Sequence, residues 1–576
     1  MNEYTKLLKE WCDRIISLQI INEKEPYMHG AVLCPSCGRI HGRFPDSIYP
    51  LILLYDELGD EKYLKSARMM TEWAEANLFY DGGYHNDKDA HWPPTSVFAG
   101  IALGNTLLHH GKCLPKEDYD RWFGIFSRIT DFVYRHFDSP AFKANINYPV
   151  TESAHMAMAY VLTGIEKYKE KAIEKMEFSK KYINSDNMLI GEGQPHDTCT
   201  AKGCSYIDIG YNAEESIPAL IECAHLLGDK KSLEYFAEVF RAVLEFMLPD
   251  GAWDNSLGTR AYKWTYWGSR TSDGCQEGIV HIAHLDPVFA EATQRNFELY
   301  REHTHDGLLY GGKMLYEAGE EPCVHHTFTH AKSLASMIDA DFKYTEKAIL
   351  PRDREYGIKH IRSTGARLIS TGSWRATVAE TDAMPYKRWA VSGGVLSVLW
   401  HTKAGMILAG TAREYSFLQE ATNMQNLRNW FEAKGCGLWV ENGEYCSIND
   451  IHAVCSHAET EDKITVTARG KLRDVDYNAD SDYSFEYIFK KDKVSITVKS
   501  EPKNRIVLPI IALKKEFEII SNTHFAVNKN GTKVHIKTDC PMRIEESGFS
   551  LVGGFEYAPL TCRGGIQVEI SLSNQH

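Results

Sequence analysis

The 576-residue chain is predicted to be an α+β protein of two domains, an N-terminal α/α toroid followed by a C-terminal antiparallel β-sandwich. Three observations predict this fold class. Helical periodicity dominates residues 1–350, strand-like alternation dominates residues 351–576, and long polar loops separate the predicted helices. Because a chain of this length exceeds a single hydrophobic core, we place the domain boundary where the two patterns meet.

Apolar residues at helical spacing predict helices throughout the first domain. These include residues 2–19, 46–58, 60–77, 96–110, 117–136, 151–163, 165–183, 213–227, 230–247, 273–284, 287–303 and 325–340. The segment LGDEKYL at 58–64 resembles LGDKKSL at 227–233 and, more loosely, LTGIEKY at 162–168. In each, a glycine ends one helix and the next begins at once, which indicates antiparallel helical hairpins. About six such hairpins fit the domain.

Four connections are too long to be simple turns, namely residues 79–95, 186–211, 249–272 and 305–324. Repeated hairpins can stack in a line or close into a ring. We favour the ring, in which these connections converge on one end, over the central cavity.

The second domain reads as short runs of alternating residues with Gly, Asn and Asp between them, which predicts antiparallel sheets packed as a sandwich. The predicted strands are residues 366–371, 394–402, 406–410, 463–472, 483–489, 493–500, 523–528, 533–539 and 566–573.

Composition limits the partners. The formal net charge of −14 argues against a nucleic-acid surface, and no run of eighteen apolar residues predicts a membrane span. The first nineteen residues lack an apolar secretory core, and the fourteen cysteines are scattered, so we expect a cytoplasmic protein with reduced thiols. A homo-oligomer stays an open alternative.

The stretch from Pro249 to Gly278 is dense in tryptophan, tyrosine and cations. Flat rings mixed with fixed cations suit a sugar that carries an acid group. The predicted sugar-binding residues here are Arg260, Lys263, Trp264, Trp267 and Arg270, with the cations holding a uronate carboxylate. The alternative is a long loop that its aromatic residues attach to the helical body.

Glycoside hydrolysis requires two carboxyl groups. Glu192, in a Gly-Glu-Gly turn, and Asp208, just before a predicted helix, are the preferred pair, with Glu215 in reserve. Asp254 and Asp273 are weaker candidates. Glu214 and Glu215 could instead cap the helix dipole. The residues expected around the reacting sugar are Tyr211, Asn212, His325 and His326, together with Asn147, Tyr148 and Trp92 from other loops.

Two other functions are open. A lyase acting on uronic acids needs a cation or amide to neutralise the carboxylate and a Tyr or His to move the C5 proton. Asn147, Tyr148, His155, Tyr211, Asn212 and His326 could supply these roles, although each could equally be a turn residue or a buried, hydrogen-bonded side chain. A non-catalytic glycan-binding protein is the third alternative.

Cys34 and Cys37, with His41 close by, form half of a zinc motif. No second pair stands near them in sequence, although Cys199 and Cys204 could complete a site in space. The motifs of nucleotide cofactors and of HExxH metalloenzymes do not occur. We therefore expect no cofactor, with structural zinc as the alternative.

Several segments resemble a known group of carbohydrate-active enzymes. They are IHGR at 40–43, DIGYNAEE at 208–215, HHTF at 325–328, GVLSVLWH at 394–401 and NMQ at 423–425. The chain resembles heparinase II/III-like proteins and the gut-bacterial exo-β-glucuronidases. The resemblance implies a toroid packed on a sandwich that can lend Trp400, His401 and Gln425 to the cleft. The Asn-His-Gly motif of toroid alginate and heparin lyases is not evident.

These observations together predict an exo-acting glycoside hydrolase on oligosaccharides that contain uronic acid, specifically a β-glucuronidase. In this prediction Glu192 and Asp208 are the acid and the base or nucleophile. An oligosaccharide or polysaccharide lyase is the alternative.

Overall fold

The computed structural model describes residues 1–25, 27–86, 92–138, 145–193, 199–269, 276–355, 357–384, 391–410, 437–545, 548–550 and 555–573. Its helices are α1 (Glu3–Leu18), α2 (Ile48–Leu58), α3 (Glu61–Asn77), α4 (Ser96–His110), α5 (Lys116–His136), α6 (Asn147–Thr163), α7 (Glu166–Lys180), α8 (Ile209–Tyr211), α9 (Ile217–Leu226), α10 (Lys230–Val243), α11 (Gln276–Ile279), α12 (Pro287–Glu302), α13 (Lys313–Glu317) and α14 (Val324–Asp339). No helix among these described residues is long and apolar enough to cross a membrane.

The helices close into a ring. Going round the inside, α2 contacts α4, α4 contacts α6, α6 contacts α9, α9 contacts α11, α11 contacts α14, and α14 returns to α2. Gly59, Gly164 and Gly228 adopt left-handed backbone conformations at hairpin joints, with φ of 66°, 69° and 66°. This is the helix-ending conformation that glycine adopts most readily. The predicted α/α toroid is therefore confirmed.

Three two-stranded hairpins lie in the toroid connections: β1 (Phe79–Tyr80) with β2 (Gly83–Tyr84), β3 (Trp264–Thr265) with β4 (Gly268–Ser269), and β5 (Thr304–His305) with β6 (Leu308–Leu309). The second domain contains β7 (Gly357–Ile361), β8 (Ala366–Thr371), β9 (Trp374–Ala379), β10 (Val395–His401), β11 (Gly405–Ala409), β12 (Trp439–Asn442), β13 (Tyr445–Cys446), β14 (Val454–Glu459), β15 (Ile464–Arg473), β16 (Ala479–Phe489), β17 (Lys493–Ser500), β18 (Arg505–Ile511), β19 (Phe517–Ser521), β20 (His524–Lys529), β21 (Thr532–Thr538), β22 (Arg543–Ile544), β23 (Gly548–Ser550), β24 (Phe555–Arg563) and β25 (Ile566–Leu572).

These strands form two antiparallel sheets, which confirms the predicted class of the second domain. The smaller sheet has the order β11-β10-β9-β8-β7. The larger sheet runs β19-β20-β21-β25-β17-β16-β15-β13-β12-β18-β24-β22, with β14 on β15 and β23 on β24. In β15–β17 every second residue is buried, as expected for a sheet with one covered face.

The smaller sheet lies between the toroid and the larger sheet. Its strands β8, β9 and β10 are buried at every position. On the toroid side, Asp254 accepts hydrogen bonds from Arg352 (3.3 Å) and Thr377, and Ser256 pairs with Ser397 (2.9 Å). Asp254, a weaker candidate for catalysis, is thus a buried contact between the two domains.

Candidate functional site

A π-helical turn at Asn212–Ser216 lies between α8 and α9 on the inner ring. Such wide turns are rare and are often found at functional sites. The turn places Glu214 and Glu215 in the protein interior, where both are buried. Glu214 accepts a hydrogen bond from the backbone NH of Ser269 (2.6 Å) and lies 3.5 Å from His330. The segment therefore joins the inner ring to the tryptophan-rich loop.

Asp208 has a structural role, which corrects its predicted role in catalysis. Its Oδ1 accepts hydrogen bonds from the Tyr211 NH (3.0 Å) and from the Asn255 amide (3.2 Å). Its Oδ2 accepts from the Arg260 NH (2.6 Å) and again from Asn255 (3.3 Å). Since both oxygens are occupied by the fold, Asp208 caps α8 and holds the loop that carries Arg260.

Asn212 is likewise engaged by the backbone. Its Oδ1 accepts from the Leu189 NH (2.9 Å), and its Nδ2 donates to the carbonyls of Leu189 (3.1 Å) and Asp208 (2.9 Å). With these three hydrogen bonds, the Asn212 amide holds the loop before α8 in place. This structural role replaces the predicted contact with the sugar.

Trp264 and Trp267 do not form a sugar platform, because both side chains are fully buried. The Trp264 indole NH donates to the Trp253 carbonyl (2.6 Å), and the Trp267 indole NH donates to the Tyr310 carbonyl (2.6 Å). The Trp267 ring packs edge-on against His326 and His330. These indoles attach the loop to the helices of the toroid, which agrees with the alternative interpretation of this stretch as an anchored loop.

The close approach of this loop to Asp208 gives a prediction about stability. A methyl group on Gly258 would lie 2.1 Å from Asn255 Oδ1 and 2.4 Å from Asp208 Oδ2. We expect Gly258→Ala to reduce the free energy of unfolding by about 1–3 kcal/mol, since overpacking forces hydrogen-bonded groups apart. Thermal melts measure this. The control Gly124→Ala is exposed in α5 with no atom within 4 Å, and should instead be stabilising. Equal melting temperatures for the two variants would contradict the tight packing.

At the centre of the candidate site, Asn147 at the start of α6 and Glu215 of the π-helical turn meet Glu192 and Arg260 from two connections. The Asn147 NH donates to Glu192 Oε1 (3.1 Å), and the Asn147 Nδ2 donates to Glu215 Oε1. Glu192 Oε2 lies 3.8 Å from Arg260 Nε. Burial raises the pKa of Glu192 to about 8, although the charge of Arg260 opposes this. Glu192 is therefore an uncharged acid at neutral pH, next to a buried guanidinium.

Tyr211 is the phenol of this cluster. Its hydroxyl oxygen accepts a hydrogen bond from Lys263 Nζ (3.1 Å), and the Arg260 guanidinium lies 5.7 Å from its ring centre. Arg260 also donates to the Tyr262 hydroxyl (3.2 Å), so its direction is fixed. Of the predicted cations, Lys263 thus contacts the phenol oxygen of Tyr211 and Arg260 lies over its ring, although Tyr211 precedes Lys263 by 52 residues in the chain.

The outer part of the cluster is aromatic. Trp92 exposes 41% of its surface, and its indole NH donates to the Tyr148 hydroxyl (2.8 Å). Burial raises the pKa of Tyr148 to about 12, and Arg260, Glu192 and Glu215 all act on it electrostatically. Trp92 and Tyr148 therefore lead from the surface towards the buried polar centre.

The two predicted histidines lie at the start of α14. His325 is buried against the rings of His41 and Phe328, and burial, followed by the charges of His41 and Arg43, lowers its pKa well below the usual value. Lys263 also acts on His325 electrostatically. His326 is fully buried and contacts the Trp267 ring.

The remaining predicted residues lie elsewhere. His155 is buried, hydrogen-bonds Thr130 (2.9 Å) and stacks on Phe126, as a core histidine does. Trp400 donates to Asp250 (3.2 Å) and to the Tyr266 hydroxyl (3.1 Å), and His401 packs on Trp374. Arg270, Asp273 and Gln425 lie outside the described residues.

Sequence reasoning missed two groups. Asn255 fixes Asp208, and only its place in a loop rich in polar residues could have indicated a role. Cys323, two residues before His325, lies beside the predicted half-site of Cys34, Cys37 and His41. Cys199 instead forms an isolated backbone bridge with Ser205, and Cys199 and Cys204 are both free cysteines outside this group.

Comparison with known proteins identifies the family. The ulvan lyase N-terminal domain matches residues 8–353, and the ulvan lyase C-terminal domain matches residues 358–573. The chain belongs to the ulvan lyase family. A broad-specificity ulvan lyase from Formosa agariphila is 35% identical over 587 residues, which span 97% of this chain and 91% of that protein.

Two solved structures have the same fold. A chondroitin AC lyase from Streptomyces coelicolor, in complex with chondroitin sulphate, aligns with a TM-score of 0.53 at 11% identity, over all of this chain and 80% of its own. A heparinase III aligns with a TM-score of 0.51 at 11% identity, over all of this chain and 84% of its own. The predicted resemblance to heparinase II/III-like proteins is confirmed.

The predicted enzyme class is wrong. The family match and the 35% identical relative indicate a polysaccharide lyase, whereas the sequence was interpreted as that of a glycosidase, specifically a β-glucuronidase. The structure is consistent with this correction, because Asp208, one of the two carboxylates assigned to hydrolysis, is fully hydrogen-bonded within the fold.

Proposed function

We propose that this protein cleaves an acidic, uronate-containing polysaccharide of the ulvan type by β-elimination. The proposal rests on the family relationship and on the cluster of Arg260, Glu192, Tyr211 and Lys263. In such a reaction the uronate carboxylate is neutralised, the C5 proton is removed, a C4–C5 double bond forms, and the C4–O bond breaks.

Arg260, Asn147 and Glu192 are the proposed carboxylate-binding residues. The guanidinium is buried and directed by Tyr262, so it can bind a carboxylate with little reorganisation. Glu192 supports this role because its raised pKa keeps it protonated at neutral pH. A protonated acid can donate a hydrogen bond to a carboxylate, whereas an ionised one would repel it.

Tyr211 is the proposed proton-transfer residue. Lys263 donates a hydrogen bond to its oxygen, and the Arg260 guanidinium lies 5.7 Å from its ring centre, so the phenol is held next to the proposed carboxylate-binding residue. The phenolate takes the C5 proton, the electron pair forms the double bond, and the bond from C4 to the leaving oxygen breaks. The same phenol then returns its proton to the leaving oxygen, so the enzyme is regenerated without a second acid.

Trp92 and Tyr148 are proposed to bind a neighbouring sugar unit. An exposed indole offers a flat apolar face of the kind on which sugar rings stack. The Trp92–Tyr148 hydrogen bond fixes the orientation of that face. This replaces the buried Trp264 and Trp267 in the predicted role.

The observation that carries the proposal is that the phenol of Tyr211 contacts two buried cations, of which Arg260 lies 3.8 Å from Glu192. Its test is the near-ultraviolet absorbance of the new C4–C5 double bond during incubation with ulvan. The matched control is ulvan whose uronate carboxyls have been reduced to alcohols. We expect absorbance to rise with ulvan and not with the reduced polymer. New reducing ends without absorbance would indicate hydrolysis, and binding without product would indicate a glycan-binding protein; either would refute the proposal.

A further inference from the structure

Four metal-ligating side chains meet at the junction of the first and last parts of the toroid. Cys34, Cys37 and His41 have their ligand atoms within 4.8 Å of one another. Cys323 Sγ lies 3.8 Å from Cys34 Sγ and 3.7 Å from His41 Nε2, and Cys37 Sγ lies 3.3 Å from His41 Nε2. Three thiols and an imidazole therefore form one compact group.

We propose that Cys34, Cys37, His41 and Cys323 bind a structural zinc ion that closes the ring. In a tetrahedral site with Zn–S bonds of about 2.3 Å and Zn–N bonds of about 2.0 Å, neighbouring sulfurs lie about 3.8 Å apart, and sulfur and nitrogen about 3.5 Å. Three donor pairs, Cys34–Cys323 at 3.8 Å, Cys323–His41 at 3.7 Å and Cys37–His41 at 3.3 Å, lie close to these edges, so these donors are spaced as ligands of one ion.

The local backbone supports this assignment. The Gly38 NH donates to the Cys34 carbonyl (2.9 Å), and the Cys34 NH donates to the Arg39 carbonyl (2.9 Å), which forms a tight turn between the first two cysteines. Gly38 has a φ of 65°, which this turn requires and which glycine adopts without strain. Such a turn directs both thiols of a Cys-x₂-Cys pair to the same side, as zinc sites need.

Burial indicates a closed site. Cys34 and Cys323 are fully buried, His41 exposes 7% of its surface, and Cys37 is half-buried. Four protein ligands leave no position for water or substrate, which is typical of structural zinc and not of catalytic zinc. The proposal is therefore independent of the proposed function, and the ion would take no part in β-elimination.

The position of Cys323 gives the ion a specific task. Cys323 is the residue that precedes α14, and it is separated from Cys34 by 289 residues. A bond between these segments closes a long loop, the arrangement in which a cross-link restricts the unfolded chain most. It also fixes the start of α14, which carries His325 and His326 towards the candidate site.

The first experiment measures zinc in the full-length protein, purified under reducing conditions, by elemental analysis. We expect about one zinc per chain. Cobalt exchanged into the protein should give the visible absorption of tetrahedral thiolate coordination. A metal-free protein that takes up neither ion, or a Cys34–Cys323 disulfide found by mass spectrometry of the protein kept from reductant, would overturn the proposal.

Variants then identify the ligands. Cys37→Ser and Cys323→Ser should each retain at least tenfold less zinc than the parent protein. Cys12→Ser is the control, because Cys12 is also a fully buried free thiol of the toroid but does not belong to the donor group, and it should keep the metal. Loss of zinc in all three variants would overturn the assignment. If a variant does not fold, chelation of the parent protein followed by a thermal melt replaces it, with a lower melting temperature expected and an unchanged one contradicting the proposal.

Discussion

Replacing Tyr211 by phenylalanine is expected to lower kcat on an acidic, uronate-containing polysaccharide by about 10²–10⁴-fold, with little change in KM. The hydroxyl that Lys263 orients is the proposed base and acid, whereas the ring that lies near Arg260 is retained. Initial rates from the ultraviolet absorbance of the product measure the effect.

A control and a companion variant sharpen this test. Tyr49→Phe removes another tyrosine hydroxyl, which hydrogen-bonds Asp339 (2.6 Å) on α14, and should leave kcat unchanged. Lys263→Met should also lower kcat, because the hydrogen bond that orients the Tyr211 hydroxyl is lost. Full activity in Tyr211→Phe would assign proton transfer to another residue.

The toroid could be predicted because its signals are local. Apolar residues at helical spacing and the repeated glycine joints at 59, 164 and 228 depend only on neighbours in the chain. Closure of the ring depends on the contact of α14 with α2, which no local pattern contains. The preference for a ring over a line came from the lengths of the connections.

The site was partly predictable. Arg260 and Lys263 lie in the candidate site and their binding of a uronate stays a prediction, whereas Trp264 and Trp267 from the same stretch are fully buried. The sequence could not distinguish the residues that line the site from those that are buried. The Trp267 indole, for example, donates to the carbonyl of Tyr310, which lies in a different connection. Aromatic density alone is compatible with both a binding surface and an anchored loop.

The enzyme class was mistaken for a related reason. Glu192 and Asp208 both occur in loops before helices, and from sequence each could be a catalytic carboxylate. Only the structure reveals that Asp208 accepts hydrogen bonds from Tyr211, Arg260 and Asn255, while Glu192 is left beside a cation. Hydrogen bonds between distant loops decide whether a carboxylate supports the fold or lies open to a reaction.

Glu192 should determine the alkaline limit of activity. Its pKa is raised to about 8 by burial, so the free enzyme loses this proton as the pH passes through 8. An anion next to Arg260 would compete for the guanidinium and repel a uronate, so kcat/KM should fall about tenfold per pH unit above that point.

Glu192→Gln should remove the fall in kcat/KM above pH 8. The amide has the shape of the protonated acid, still donates a hydrogen bond and cannot ionise, so activity at neutral pH should stay within about threefold of the parent. Glu192→Leu, which keeps the volume without a donor, should lose at least about tenfold at every pH because a hydrogen bond to a charged group is lost. A falling part that persists in Glu192→Gln would assign it to another group.

Thermal melts distinguish the loss of activity above pH 8 from unfolding of the protein. Glu192 binds its proton more tightly in the folded protein, where its pKa is about 8, than in the unfolded chain, where it is 4.5. Its contribution to the free energy of unfolding is therefore complete below pH 4.5 and is lost as the pH rises to 8. Glu192→Gln removes this dependence, so the variant should gain melting temperature relative to the parent at pH 9. If Glu192→Gln is at least as stable as the parent at pH 9 and also keeps its activity there, ionisation of Glu192 limits the reaction of the parent. A protein destabilised by the substitution would instead lose both stability and activity at pH 9.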